Sequence, residues 1–429
     1  MNQQHPIKRR QFLERSLLTA SGIGLGSCLP QTWLKAALAV GQNSAKKILV
    51  VIQLSGGNDG LNTVIPVRNP EYKRLRPKLA IPEDKSIGIG EDLSLHSSLK
   101  SIAGLLEKNQ FAIVQGVGYP SPNRSHFESM DIWHSCETKN KRGKTGWLGR
   151  WLDHSTTLNS EIQPSDTRST NNDSIALHLG SEVQPFALTS LQVNVPSLSS
   201  IEQFRFQATS DIKSLDSSEA VKMKADNLAG SDSDLLDFVA GSTQSAIAAS
   251  KRLEEALKQS TNVESFPSTQ LGQKLQVIAR LIRSGLQTNV YYVTLDGFDT
   301  HAQQPAAHAN LLSQWSEALG AFVNYLSESG DMDRTLVMTF SEFGRRVAEN
   351  ASEGTDHGAA APLFLAGTNL QKSIIGDHPK LTDLDDGDLK HQIDFRSVYA
   401  TILQQWLDCS PEICLGKSYP LIDLFQQQS

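Results

Sequence analysis

Five runs with the character of buried strands, each joined to a short polar segment, constrain this chain more than any other feature. Lys47–Leu54, Phe111–Val117, Val290–Leu295, Thr335–Phe340 and Ala361–Ala366 are continuous aliphatic and β-branched stretches, the pattern of strands covered on both faces. Between them lie amphipathic stretches, clearest over Leu271–Leu286 and Ala309–Leu326, with apolar residues three and four apart. Strands alternating with helices predict an α/β fold, a three-layer sandwich around a mainly parallel sheet. With 429 residues, 39% of them hydrophobic, one large domain has an ample core. Residues 155–174 are rich in Ser, Thr and Asn, and residues 205–270 are polar and lean helical. The span 155–270 therefore reads as a peripheral helical and loop insertion.

Ligands of parallel sheets gather beyond the carboxyl ends of the strands, and here the polar residues fall at those ends. The first four runs lead into SGGNDG, GYPSPNRSH, DGFDTH and SEFGRR, and the fifth follows TDHG. Asp296, His301, Glu342 and His357 supply two imidazoles and two carboxylates, a set suited to a divalent metal. Asp59 adds a further carboxylate. Ser125, between Arg124 and His126, offers a hydroxyl that a cation or base activates as a nucleophile. Asn58, Arg124, His126 and Arg345 are candidates for binding an anionic substrate, the arginines through a bidentate fork. Taken singly, a carboxylate after a strand is commonly a helix cap and a lone histidine is commonly structural. The functional reading rests on all of them meeting at strand ends. Asp394 and Arg396, at the start of the apolar stretch Phe395–Leu407, read as caps.

The N-terminus reads as an address. Lys8-Arg9-Arg10-Gln11-Phe12-Leu13 precedes a Ser/Gly/Ala/Leu-rich stretch that ends near Ala37 and Ala39, the layout of a twin-arginine export signal over residues 1–39. Leu25-Gly26-Ser27-Cys28 is also laid out as a lipoprotein box, with Cys28 as the acylated residue. The expected location is periplasmic or exported, with the twin-arginine translocase as a transient partner. Residues 1–39 carry five basic side chains and one acidic one, so without them the formal charge moves from −6 to −10. That balance excludes a nucleic-acid binder. The absence of a run of 18 apolar residues excludes a transmembrane segment in the mature chain. Cys409 and Cys414, in CSPEIC, are close enough in sequence to bridge in an oxidising compartment.

The segments QLSGGNDGLN, GYPSPNRSHFESMDIWHS, GWLGRWLD, TLDGFDTHAQQ, FSEFGRR and GTDHGAAAPLFLAG together resemble the exported bacterial family called domain of unknown function 1501. That family is grouped with the alkaline phosphatase and sulfatase superfamily. The resemblance implies an alkaline-phosphatase-like domain over residues 40–429 and one or two divalent ions (Zn, Mn, Ca or Mg). It also implies a phosphate or sulfate ester substrate, small or glycan-borne. Laid on this sequence, the superfamily pattern makes Asp59, Asp296, His301, Glu342 and His357 metal ligands and Ser125 the nucleophile. One position departs from it: Phe343 stands where the superfamily carries an imidazole. The expected function is an exported metal-dependent ester hydrolase. The alternatives are a non-catalytic binding protein on the same fold and a phosphoryl transferase.

Overall fold

The structure, a computed structural model, describes residues 46–137, 143–162, 173–198, 254–255 and 266–426. Residues 1–39, read above as an export signal, with Cys28, and most of the span 199–265 lie outside the described residues. From Lys47 onward the chain forms one compact unit.

Its centre is a nine-stranded sheet. The strands are β1 (Ile48–Leu54), β2 (Phe111–Gly118), β3 (Ala176–Leu179), β4 (Ser197–Leu198), β5 (Val290–Leu295), β6 (Thr335–Phe340), β7 (Ala361–Ala366), β8 (Ile374–Ile375) and β9 (Ile393–Asp394). The order across the sheet is β8-β2-β7-β6-β1-β5-β3-β4, with β9 also on β2. Every pairing is parallel except the two made by β7, which runs against β2 and β6. All five strand runs read from the sequence are present. The span 155–270 is not wholly peripheral, because the short ALHL run of β3 extends the sheet beside β5.

β1 is buried along its whole length because it sits mid-sheet, registered against Tyr291 of β5 and Val337 of β6 through Val50. The two-residue period of a strand divides its side chains between two cores. Ile48, Val50, Ile52 and Leu54 pack with helices α4 (Gln270–Arg283) and α5 (Gln304–Ser329), whereas Leu49 and Val51 face the opposite layer. That layer contains α2 (His126–Ser135), α3 (Trp147–Ile162) and α6 (Phe395–Gln405), following α1 (Lys100–Glu107) in the first. Trp133 and Trp147 lie buried in the second core, stacked on Phe395 and Tyr399. Asp394 caps α6 by accepting from the Arg396 amide, as its position implies. Cys409 and Cys414 are free and buried, with their sulfurs 3.7 Å apart.

The direction of β7 explains why the fifth polar segment precedes its strand while the others follow theirs. In a strand running against its neighbours, the amino end lies beside their carboxyl ends. His357 is thereby brought to the edge where β1, β2, β5 and β6 deliver their loops.

Candidate metal centre

The loop after β1 supplies backbone rather than ligands. Gly56 and Gly57 adopt φ of +114° and +79°, a conformation that side chains disfavour. A Cβ on Gly56 would lie 2.4 Å from the Asp299 amide nitrogen, and one on Gly57 2.4 Å from the Phe343 ring. These close approaches let the Gly56 amide donate to Glu342 Oε1 at 2.8 Å. The Gly56 and Gly57 carbonyls in turn accept from Arg345. Arg345 is fully buried and also reaches the Thr355 and Phe298 carbonyls and Asp299 Oδ1, the last at 2.7 Å. The loops after β1, β5 and β6 are thus tied to one guanidinium.

In the loop after β5, Phe298 is completely buried. This anchor leaves Asp296 exposed on one side and turns Asp299 towards Arg345 on the other. Three imidazoles then meet Asp299 Oδ1 through their Nε2 atoms: His357 at 3.0 Å, His301 at 3.0 Å and His126 at 3.3 Å. His301 Nε2 and His357 Nε2 are themselves 2.9 Å apart. The other nitrogen of each ring has a fixed acceptor. Nδ1 of His126 donates to Glu342 Oε1 at 2.8 Å, that of His357 to the Arg124 carbonyl at 2.7 Å, and that of His301 to Asp356 Oδ1 at 3.3 Å. Carbonyls and carboxylates only accept, so each Nδ1 carries hydrogen and each neutral ring presents its Nε2 lone pair.

The Nε2 atoms of His126 and His357 and an Asp299 oxygen lie within reach of one cation, with His301 beside them. Among the described residues His126 Nε2 is buried with no hydrogen-bond partner, an orphan that a metal ion would satisfy. Ligand atoms of His126, Asp299 and His357 lie within 4.8 Å of one another, and His301 adjoins two of the three. Four-coordinate Zn with bonds near 2.0–2.1 Å sets its ligand atoms about 3.3 Å apart, close to the separations here. Imidazoles anchored through Nδ1 on a carboxylate or carbonyl are the usual surroundings of a metal-binding histidine. The residues therefore fit a divalent ion of the Zn or Mn type.

Electrostatics point the same way. Burial pushes the Asp299 carboxyl up, but the hydrogen bond and charge of the Arg345 guanidinium hold the group below the usual carboxylate range. The Glu342 hydrogen bond raises the pKa of His126, making its Nε2 a stronger base. Phe343 packs against the His126 and His357 rings, with centroids 4.9 and 4.8 Å away. An apolar wall thus stands where the superfamily pattern has a ligand. Of the cluster, His126 and Asp299 line a cleft of about 920 Å³, with Phe127, Asp296 and Glu342 among its other walls.

Of the residues singled out by the sequence, His301, His357 and His126 meet in this cluster. Asp296 faces the cleft but stands outside the cluster; Asp299, three residues on, occupies the place assigned to it. Asp299 was not anticipated, although DGFDTH offers a second acid and the intervening Phe298 is the clue to which one turns inward. Glu342 is buried behind His126 and orients that ring. Asp59 is spoken for by Arg76 at 2.6 Å, with both side chains fully buried, and by Gln304. Asn58 accepts from Thr63 and His308 inside the fold. Arg345 has its donors committed to backbone and Asp299, so it is a brace and not a substrate contact. Arg124 pairs with Asp386 and Asp388. Ser125 sits exposed at the N-cap of α2, one residue before His126, with no capping bond from its side chain.

Fold and cluster together define an α/β protein with histidines and an aspartate gathered at the strand ends, where they could hold a cation. The chain belongs to the family described as protein of unknown function DUF1501, whose model matches residues 45–408. No curated protein matches it. Solved structures with a similar course of the chain include a protein in the alkaline phosphatase superfamily from Vibrio parahaemolyticus, at 9% identity and TM-score 0.39. That match covers 88% of this chain and 71% of the other. The lipoteichoic acid synthase LtaP from Listeria monocytogenes matches at 11% and 0.37, covering 89% and 75%. The C-terminal periplasmic domain of EptC from Escherichia coli, in complex with Zn, matches at 6% and 0.37, covering 76% and 74%. At such values the likeness stops at the general path of the chain.

Proposed function

We propose that this protein is an exported, metal-dependent hydrolase of phosphate or sulfate esters. The observation that carries the reading is the gathering of His126, His357 and Asp299 within 4.8 Å of one another, with His301 beside them and with His126 and Asp299 lining an open cleft. His126, His301, His357 and Asp299 would hold the ion. When bound, a divalent cation polarises an ester oxygen and favours the ionised form of a neighbouring hydroxyl.

The chain's own residues would do the rest. Ser125, free of a capping role, is the nucleophile: its Oγ bonds to phosphorus or sulfur as the alcohol leaves, and water then releases the acid. The amino end of α2, ten residues long, adds partial positive charge for the anion. Glu342 and the Arg124 carbonyl hold two of the rings in the required tautomer, and Arg345 fixes Asp299. Release to an alcohol instead of water would make the same site a phosphoryl transferase.

Residues 1–39 would direct export through the twin-arginine translocase, with the periplasm or, after acylation of Cys28, a membrane surface as destination. Turnover of aryl phosphate and aryl sulfate esters by purified protein tests the activity. Full activity in both Ser125→Ala and His357→Ala would refute it.

A second reading, a non-catalytic binding protein with one structural cation, is favoured by a different observation. Asp59 is locked through Oδ2 to the fully buried Arg76, and Phe343 replaces an imidazole, so the ligand set for a second ion is reduced at both positions. One bound metal with no turnover across an ester panel would establish that reading.

A further inference from the structure

Three cysteines fall in residues 40–429, and all three are buried in the second core. The metal centre uses none of them. Cys136 ends α2 and packs there as a small apolar side chain. Cys409 and Cys414 instead meet each other, sulfur against sulfur at 3.7 Å.

The chain between them builds this contact. Beyond α6, Ser410 leads into a five-residue helix, α7 (Pro411–Leu415). Its first residue is a proline, whose fixed φ suits a helix start. That single turn carries Cys414 back to Cys409. Both ends are held: the Cys409 amide donates to the Leu403 carbonyl at 2.9 Å, and Arg150 Nε donates to the Cys414 carbonyl at 2.6 Å. The two thiols are not equivalent. Cys409 is 5% exposed and adjoins the exposed Ser410, whereas Cys414 is fully buried. The hydrogen bond with Cys414 lowers Cys409 below the ordinary thiol value, and the same bond, with burial, raises Cys414. Cys409 is therefore the readier thiolate and the one nearer solvent, with Cys414 directly behind it.

We propose that Cys409 and Cys414 are a modification site, a dithiol set by the fold that an external disulfide oxidises to an intramolecular bridge in an oxidising compartment. The compartment rests on the export reading of residues 1–39; the pairing does not. The Cys409 thiolate attacks one sulfur of the external disulfide, and the other half leaves as a thiolate. Cys414 then attacks the Cys409 sulfur, which closes the bridge and releases the second half. The external disulfide takes up the two electrons, and the two protons of the protein thiols end on the two thiols released. Closure brings the sulfurs from 3.7 Å to about 2.0 Å, a movement within the reach of one short helix. A chain that is already folded when it meets the oxidant has its partner chosen in advance, and Cys136 is left out. The bridge fastens α7 to the end of α6. Arg150 extends that hold to α3 and, through the Ser135 carbonyl at 2.7 Å, to the last turn of α2, whose first residue is His126.

The test is oxidation of the purified chain with glutathione disulfide, then alkylation in denaturant and peptide mass mapping without reduction. The expected result is a Cys409–Cys414 cross-link, with Cys136 the one thiol of residues 40–429 left to alkylate. Cys414→Ser should stop the exchange halfway and leave glutathione on Cys409, whereas Cys409→Ser should leave Cys414 unmodified. Reducing the bridged protein should lower its thermal midpoint by about 2–4 °C, and Cys136→Ser should keep both the bridge and this shift. Because the oxidant is added to purified protein, the result depends neither on export nor on turnover. Alkylation of all three thiols after prolonged oxidation would overturn the proposal. So would a cross-link that includes Cys136, or glutathione that persists on Cys409 in the wild-type chain.

Discussion

Replacing Glu342 by Gln separates a residue that holds a metal from one that orients a metal ligand. Glu342 is 1% exposed, and its Oε1 accepts both the Gly56 amide and His126 Nδ1 at 2.8 Å. Glutamine keeps the shape but removes the charge from two charge-assisted hydrogen bonds. Such bonds contribute about 1.5–3 kcal/mol, against about 0.5–1.5 kcal/mol for neutral ones. The expected loss of fold stability is therefore about 1–3 kcal/mol, readable by urea titration. His126 loses its principal pKa-raising partner, so its pKa should fall. Outer partners of this kind change metal affinity by about 10–100-fold. A Zn competition titration against a chromophoric chelator should show a dissociation constant weakened by that factor, with stoichiometry unchanged. Affinity within twofold of the wild type would refute the idea that Glu342 works through His126. Loss of stoichiometric binding would instead make Glu342 a direct ligand.

Three further outcomes follow from particular contacts. Asp299→Ala should abolish stoichiometric metal binding, whereas Asp296→Ala should leave it unchanged; elemental analysis of the two purified variants decides between them. Asp59→Ala strands the fully buried Arg76 guanidinium, which should destabilise the fold by about 3–5 kcal/mol in chemical denaturation at neutral pH. His134 and His308 are buried, and desolvation lowers their pKa values to about 3 and about 4. The unfolded chain therefore binds more protons than the folded one as pH falls below about 6.5. Stability is full above that value and should drop by about 4 kcal/mol between pH 7 and pH 5, measured in the metal-free protein.

The strands were legible because burial on both faces leaves Ile48–Leu54 and Thr335–Phe340 without a charged residue and with only Gln53, Thr335 and Thr339 polar. The direction of Ala361–Ala366 was not, since side-chain pattern is the same for parallel and antiparallel neighbours. His357 preceding its strand was the only hint. At the site, the histidines were legible by position, but which carboxylate accompanies them depended on events far away in sequence. Phe298 entering the core decides between Asp296 and Asp299. Arg76, seventeen residues beyond Asp59, takes that carboxylate out of contention. Arg345 follows a strand as a substrate-binding residue could, yet its partners are carbonyls from three other segments. No local pattern records such long-range hydrogen bonds.

On the proposed function, a single cation is held by His126, His301, His357 and Asp299. Elemental analysis of protein purified without chelators, beside His357→Ala, tests it most directly. One divalent ion per wild-type chain is expected, and well under one in the variant. A wild-type chain that takes up no divalent metal on reconstitution, or a His357→Ala chain that keeps its full complement, would contradict it.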